Sequence, residues 1–260
     1  MAVGVARLQL QDICLAFNSN GSMLDVLQAI SLDVLPGEFV SALGPSGCGK
    51  SSLLKAVAGL IQPTAGVVRV DGQVVRGHDV RVGMVFQEYA LFPWLTLREN
   101  VEFGLKMRGV PGQTRRGLAA RYIDLVRLNG FESHYPQQLS GGMRQRAALA
   151  RALIVDPEIL LMDEPFGALD AQTRISLQVE VERLVGGTQT TVLFVTHAVD
   201  EAIYLSDRIV VTTARPARIK EIVSVDLPRP RDRGDPAFAA LQARVLRLVR
   251  EEIESTEEEG

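Results

Sequence analysis

Residues 44–52 read GPSGCGKSS, set between the apolar run EFVSAL and the helix-forming stretch SLLKAVAGL. The first eight of these residues match the pattern GxxxxGK[ST], in which backbone N–H groups wrap phosphates, a lysine reaches the β and γ oxygens and a hydroxyl binds magnesium. Such a loop works when a strand delivers it to the head of a helix, so it demands strand, loop and helix in that order. The nucleotide-binding candidates are therefore Gly44, Pro45, Ser46, Gly47, Cys48, Gly49, Lys50, Ser51 and Ser52, with Lys50 on the phosphates and Ser51 on the metal.

The remaining chain alternates β-rich and helical patterns, as an α/β fold does. RLQLQDICLAF and LQAISLDVL alternate like half-buried strands and predict an antiparallel sheet near the N-terminus. EFVSAL, VGMVF, EILLM and TVLFVT are shorter and continuously apolar, as strands buried on both faces are. Between Glu88 and Asp156 the pattern turns helical, in NVEFGLKMRGV, LAARYIDLVRLNG and an Ala-rich stretch, which predicts a helical subdomain inserted between two core strands. After TTARPARIKEIV, the segment LPRPRDRGDP suits a loop or linker, FAALQARVLRLVREEI predicts an amphipathic helix, and ESTEEEG reads as a solvated acidic tail.

Composition excludes several classes. The 260 residues, 47% hydrophobic and 23% charged, suffice for one large core or a core with a satellite subdomain. A net charge of -3 gives no overall basic surface, so no nucleic-acid partner is expected. Cys14 and Cys48 lie far apart and make no metal-binding cluster, which fits a reducing compartment. The N-terminus lacks the apolar core of a signal peptide, and no run approaches the roughly 18 apolar residues of a membrane span. The chain reads as soluble, or as held to a membrane by others.

A phosphate cradle that hydrolyses needs a metal partner and a group to activate water. ILLMDEP offers both at a strand's carboxyl end, the usual ligand side of an open α/β sheet. Asp163 would hold magnesium through its shell, and Glu164 would polarise the attacking water. Gln87 follows VGMVF and His197 follows TVLFVT; a departing γ-phosphate could be contacted by Gln87 through magnesium or water and by His197 through a hydrogen bond. His78 and His134 have no such placement. In QQLSGGMRQRAALARAL, Ser140 is a good N-cap, but Gly141 and Gly142 fill a first turn where each costs up to about 1 kcal/mol against Ala, and Met143 stands where a capping box would have Glu. Bare glycines there suit either a flexible helix start or the close approach of an anion to free N–H groups.

In order, GPSGCGKSS, Gln87, LSGGMRQR, ILLMDEP, GALD and His197 resemble the full motif set of the ATPase subunits of ATP-binding cassette (ABC) transporters, and the likeness spans nearly the whole chain. The resemblance implies a P-loop NTPase core with a mixed sheet, an N-terminal antiparallel β subdomain and an inserted helical subdomain. It makes residues 1–260 a single nucleotide-binding domain, with the core at about 1–87 and 157–225, the helical subdomain at about 88–156, and a C-terminal linker and helix at about 226–260. It further implies ATP and Mg2+ as cofactors and a head-to-tail dimer in which Ser140, Gly141 and Gly142 of one subunit grip the γ-phosphate of ATP held by the other. Asp170 would communicate between the two sites, and Phe17 would stack on adenine. The usual signature has Gln at the position of Met143.

LFPWLTLRENVEFGL, DEPFGALDAQTR and the run from TTARPARI to LPRPRD resemble the importers of nitrate, taurine and alkanesulfonates. That branch implies two transmembrane permease subunits, an extracytoplasmic substrate-binding protein and a peripheral position on the cytoplasmic face of the membrane. Residues 88–107 would line the groove that receives a permease coupling helix, with Phe92 and Trp94 as contact candidates. The alternatives are the ATPase of a lipid-handling or export complex, and a soluble ABC ATPase outside transport.

Overall fold

The computed structural model describes residues 6–19, 22–167, 169–186 and 188–258. In chain order the elements begin with strands β1 (Leu8–Ser19), β2 (Ser22–Val34) and β3 (Phe39–Leu43), helix α1 (Lys50–Val57), and strands β4 (Ala65–Val70), β5 (Gln73–Val74) and β6 (Val82–Val85). Helices α2 (Leu97–Met107), α3 (Gly112–Leu125) and α4 (Gly141–Leu153) follow, then β7 (Ile159–Asp163), α5 (Ala171–Gly186) and β8 (Thr191–Thr196). The chain closes with α6 (Val199–Leu205), β9 (Arg208–Thr212), β10 (Ile219–Ser224) and α7 (Pro236–Glu258). It divides into two compact units, residues 1–79 with 191–260, and residues 80–190.

The first unit holds the expected N-terminal antiparallel sheet, in the order β2-β1-β4-β5, with Leu8 opposite both Val34 and Val70. Its other strands run β10-β9-β3-β8. Here β3 pairs in parallel with β8 and β9, and β10 returns antiparallel to β9, so the sheet is mixed. All five residues of β3 and all six of β8 are buried, as their uninterrupted apolar runs require. β10 alternates more weakly, and only Val223 in it is buried.

The second unit pairs β6 with β7 in parallel, Val85 level with Met162. Its helices share a core of Leu97, Val101, Leu105, Ile123, Leu139 and Ala147 among others, the i, i+4 spacing of α2 giving it one apolar face. A capping box starts α2: the Thr96 side chain accepts from the Glu99 amide while the Glu99 carboxylate accepts from the Thr96 amide. Those hydrogen bonds from Thr96 hold the Glu99 carboxyl below its ordinary range.

Several boundaries differ from the sequence reading, among them the start of α3 and the end of α7. α3 starts at Gly112, six residues before the LAARYIDL pattern, because its polar first turn carries no apolar period. α7 continues to Glu258 and takes in part of the acidic segment read as a tail, since Glu is a good helix former.

Candidate active site

The phosphate loop leaves β3 between β8 and β9, with Leu43 level with Thr196 on one side and Val211 on the other. It therefore opens at the carboxyl edge of the sheet. Gly49 has φ +121°, and a Cβ there would come within 2.7 Å of the Val26 side chain, so only glycine fits. A Cβ on Gly44 would overlap the Thr212 hydroxyl. The Lys50 side chain is buried and donates from Nζ to the carbonyls of Gly44 at 2.9 Å and Pro45 at 2.7 Å. This holds its charge over the loop's mouth. Among the described residues no side chain caps the start of α1, and its first turn carries no acid, as suits an anion receptor. Ser46 and Gly47 are exposed, Cys48 is buried, and Ser51 and Ser52 are half-buried at the helix start.

His197 follows β8 directly and is exposed, so it and the loop leave neighbouring strand ends. The preceding Thr196 is buried; its hydroxyl donates to Glu201 at 2.7 Å and accepts from the Ala198 amide at 3.0 Å, which fixes the turn that presents the histidine. Phe17 lies on β1 opposite Leu24 and is 43% exposed, leaving much of its ring surface free for stacking.

The second unit carries the acids and the signature helix. Asp163 ends β7 almost fully buried, and Glu164 follows with φ +44°. Gln87, just past β6, donates from Nε2 to Glu164 Oε2 at 3.5 Å, so these two residues share one strand-end cluster. Among the described residues no three His, Cys, Asp or Glu side chains gather as a metal site. The hydroxyl of Ser51 in the first unit and the carboxylate of Asp163 in the second are each hard oxygen donors of the kind Mg2+ takes.

Ser140 caps α4 as expected, its hydroxyl accepting from the Met143 amide at 3.3 Å. The two glycines after it meet different surroundings. A Cβ on Gly142 would lie 2.6 Å from the Thr173 methyl of α5, whereas one on Gly141 would meet only the Tyr89 hydroxyl, at 3.4 Å. Gly142 thus has a packing reason that the sequence did not reveal, and Gly141 leaves its side of the helix start open. Asp170 is exposed; it accepts from the Thr173 amide at 3.0 Å, and hydrogen bonding to Thr173 holds its carboxyl below the usual carboxylate range. Ala168, within GALD, lies outside the described residues.

Trp94 is 70% exposed, while the half-buried Phe92 stacks between it and Phe103, with ring centroids at 5.6 and 4.4 Å. Sequence reasoning missed what holds this loop. Asn100, fully buried, accepts from the Phe92 amide at 2.8 Å and donates to the carbonyls of Phe92, Leu95 and Thr96 at 3.1, 2.9 and 3.0 Å. Arg151 donates to the carbonyls of Tyr89 and Ala90, both of which have positive φ, and its guanidinium lies 5.8 Å from the Phe92 ring centroid. The Thr96–Glu99 spacing is a capping-box signal that would have located the start of α2, and with it the inward turn of Asn100.

Residues 27–167 match the family described as ABC transporter. The chain is 51% identical over 247 residues to an uncharacterised ABC transporter ATP-binding protein of Methanocaldococcus jannaschii, covering 95% of this chain and 92% of that one. It is 44% identical over 242 residues to the aliphatic sulfonates import ATP-binding protein SsuB of Bacillus licheniformis, covering 93% and 92%. Among solved structures it is similar, with a TM-score of 0.76 and 32% identity over 84% of this chain and 98% of the other, to a dimeric ATP-binding cassette in a post-hydrolysis state with ADP and Pi. The chain belongs to the ABC transporter family, as one of its ATPase cassettes.

Proposed function

We propose that the protein is the ATP-hydrolysing subunit of an importer for a small anionic nutrient of the nitrate, taurine or alkanesulfonate type. The observation that carries this is its near full-length likeness to the SsuB proteins named for aliphatic sulfonate import. Among the described residues no helix is long and apolar enough to cross a membrane, which agrees with separate permease subunits. The chain acts as a single nucleotide-binding domain at the cytoplasmic face of the membrane, with two permease subunits and an extracytoplasmic binding protein as partners.

Catalysis follows from charge and position. The backbone N–H groups that residues 44–52 carry at every position but Pro45, with the ammonium of Lys50, neutralise the phosphates, and Phe17 stacks on adenine. Ser51 and Asp163 would hold Mg2+, Asp163 through its water shell, and the bound ion would supply positive charge to the phosphates. Glu164 takes the proton of the attacking water, oriented by its hydrogen bond with Gln87. His197 donates to the γ-phosphate. In a head-to-tail dimer Ser140, Gly141 and Gly142 close over ATP held by the other subunit, while Asp170 links the two sites. Phe92 and Trp94 receive the permease.

Purifying the native complex from membranes should yield permease subunits with this chain, and labelled nitrate, taurine and alkanesulfonate uptake should name the solute. Co-purification with subunits of an exporter, or loss of the chain without loss of any such uptake, would reject the importer reading.

A further inference from the structure

The TTARPARI run, which opens on the last residue of β9, has entered so far only through Thr212 beside Gly44, yet it grips the phosphate loop at two points. At the base, the buried Thr212 donates from Oγ1 to the Leu43 carbonyl at 3.3 Å and lies 3.5 Å from the Cys48 sulfur. At the shoulder, Arg215 donates from Nε to the Gly47 carbonyl at 3.1 Å, and its Nη2 donates to the same oxygen, across 168 residues of sequence. The turn presenting Arg215 is braced. Thr213 Oγ1 bonds to the Ala214 and Pro216 carbonyls at 3.0 and 3.1 Å and accepts from the Arg218 amide at 2.9 Å. Two backbone bonds with β2, Ala217 to Val26 and Gln28 to Ala217, fasten its far side, both at 2.9 Å.

The peptide joining Gly47 to Cys48 is planar and trans, so its C=O and N–H point in opposite directions. Its carbonyl faces Arg215. Its N–H, on Cys48, donates to the Pro45 carbonyl at 3.4 Å, the oxygen that also accepts from Lys50 Nζ at 2.7 Å. Fixing the Gly47 carbonyl therefore also holds the turn of residues 45–48, and with it the oxygen that seats the Lys50 ammonium. A phosphate loop already held in one shape binds more tightly, because less freedom is lost on binding.

We propose that Arg215 is a positioning residue of the phosphate loop, presetting the turn of residues 45–48 that seats the Lys50 ammonium for the nucleotide phosphates. The proposal rests on the reading of residues 44–52 as the nucleotide cradle. Its test uses the full-length chain for ATP binding and melting, and the assembled complex for turnover. Arg215→Ala should raise the Kd for ATP about tenfold, the scale of a lost charge-assisted hydrogen bond. KM should rise with it while kcat at saturation changes less than about twofold, since the lost interaction acts equally in ground and transition states. The Tm of the nucleotide-free chain should not move. Arg215→Gln keeps an N–H donor without the charge and should recover affinity to within about threefold of the native protein. Native affinity in Arg215→Ala, a fall in the nucleotide-free Tm alongside the lost affinity, or a Gln variant no better than Ala would each overturn the proposal. Lys50→Ala separates the two readings: if it leaves ATP binding intact, the cradle reading fails and takes this proposal with it; if it abolishes binding while Arg215→Ala is native, only the positioning role falls.

Discussion

Gly141 and Gly142 are adjacent in the first turn of α4, yet only one has room for a methyl group. Gly142→Ala would force α4 away from Thr173, with destabilisation of about 1–3 kcal/mol typical of overpacking, and Thr173→Ser should relieve it by removing the offending methyl. Gly141→Ala should leave denaturant stability nearly unchanged, because Ala favours the helix, but should lower ATP turnover of the complex by crowding the open side. Equal stability losses in both variants would refute the distinction. Glu164→Gln should retain ATP binding and lose turnover by at least about a hundredfold, measured in the full complex. The residues of these tests were readable in advance because glycines at a helix start and acids at a strand end are anomalies that a core would not select. The methyl of Thr173 and the hydroxyl of Thr212 were not, since nothing in a threonine's sequence neighbourhood says which distant glycine it abuts.

At the level of elements, the loop ahead of α2 depends on one buried amide. Asn100→Ala would remove the side-chain partner of the Phe92 amide and of three carbonyls, of which those of Phe92 and Thr96 keep backbone partners in Leu95 and residue 100, so a loss of about 1–3 kcal/mol is expected in chemical denaturation. Assembly with the permease should fail as the loop loses shape, while ATP binding by the isolated chain persists. Trp94→Ala removes an exposed ring and should impair assembly or transport without the stability loss; unchanged complex yield and transport would remove Trp94 from the docking surface. The strands were legible because period-two alternation in β1 and β2 and unbroken apolar runs in β3, β6, β7 and β8 each state how many faces are covered. The start of α3 and the end of α7 were obscured because exposed polar turns carry propensity but no period. Asn100 is harder still: a buried asparagine looks like a wet one until the carbonyls around it are known.

For the whole molecule, the central question is whether the signature serves its own chain or another. Lys50→Ala spoils the phosphate loop and Gly141→Asp sets a carboxylate where a γ-phosphate should sit, so each variant alone should lack ATPase activity. A mixed dimer contains one site that combines both defects and one that combines neither. Partial activity in co-assembled mixtures is therefore expected if the signature acts across the dimer. None is possible if it acts within its own chain; a dimer with a single defective site checks whether both sites must fire together. The strand that carries the phosphate loop has another consequence, one of timing. β3 lies between β8 and β9, and the arginine gripping Gly47 comes later still, 168 residues downstream. At about 5–20 residues per second of synthesis, the ribosome finishes GPSGCGKSS roughly eight to thirty seconds before it makes the segments that flank and pin it. Throughout that interval a nascent β3 has neither neighbour, and ATP in the cell finds no finished cradle to stabilise. Nucleotide can thus reward completed folding of this chain but cannot template its first half.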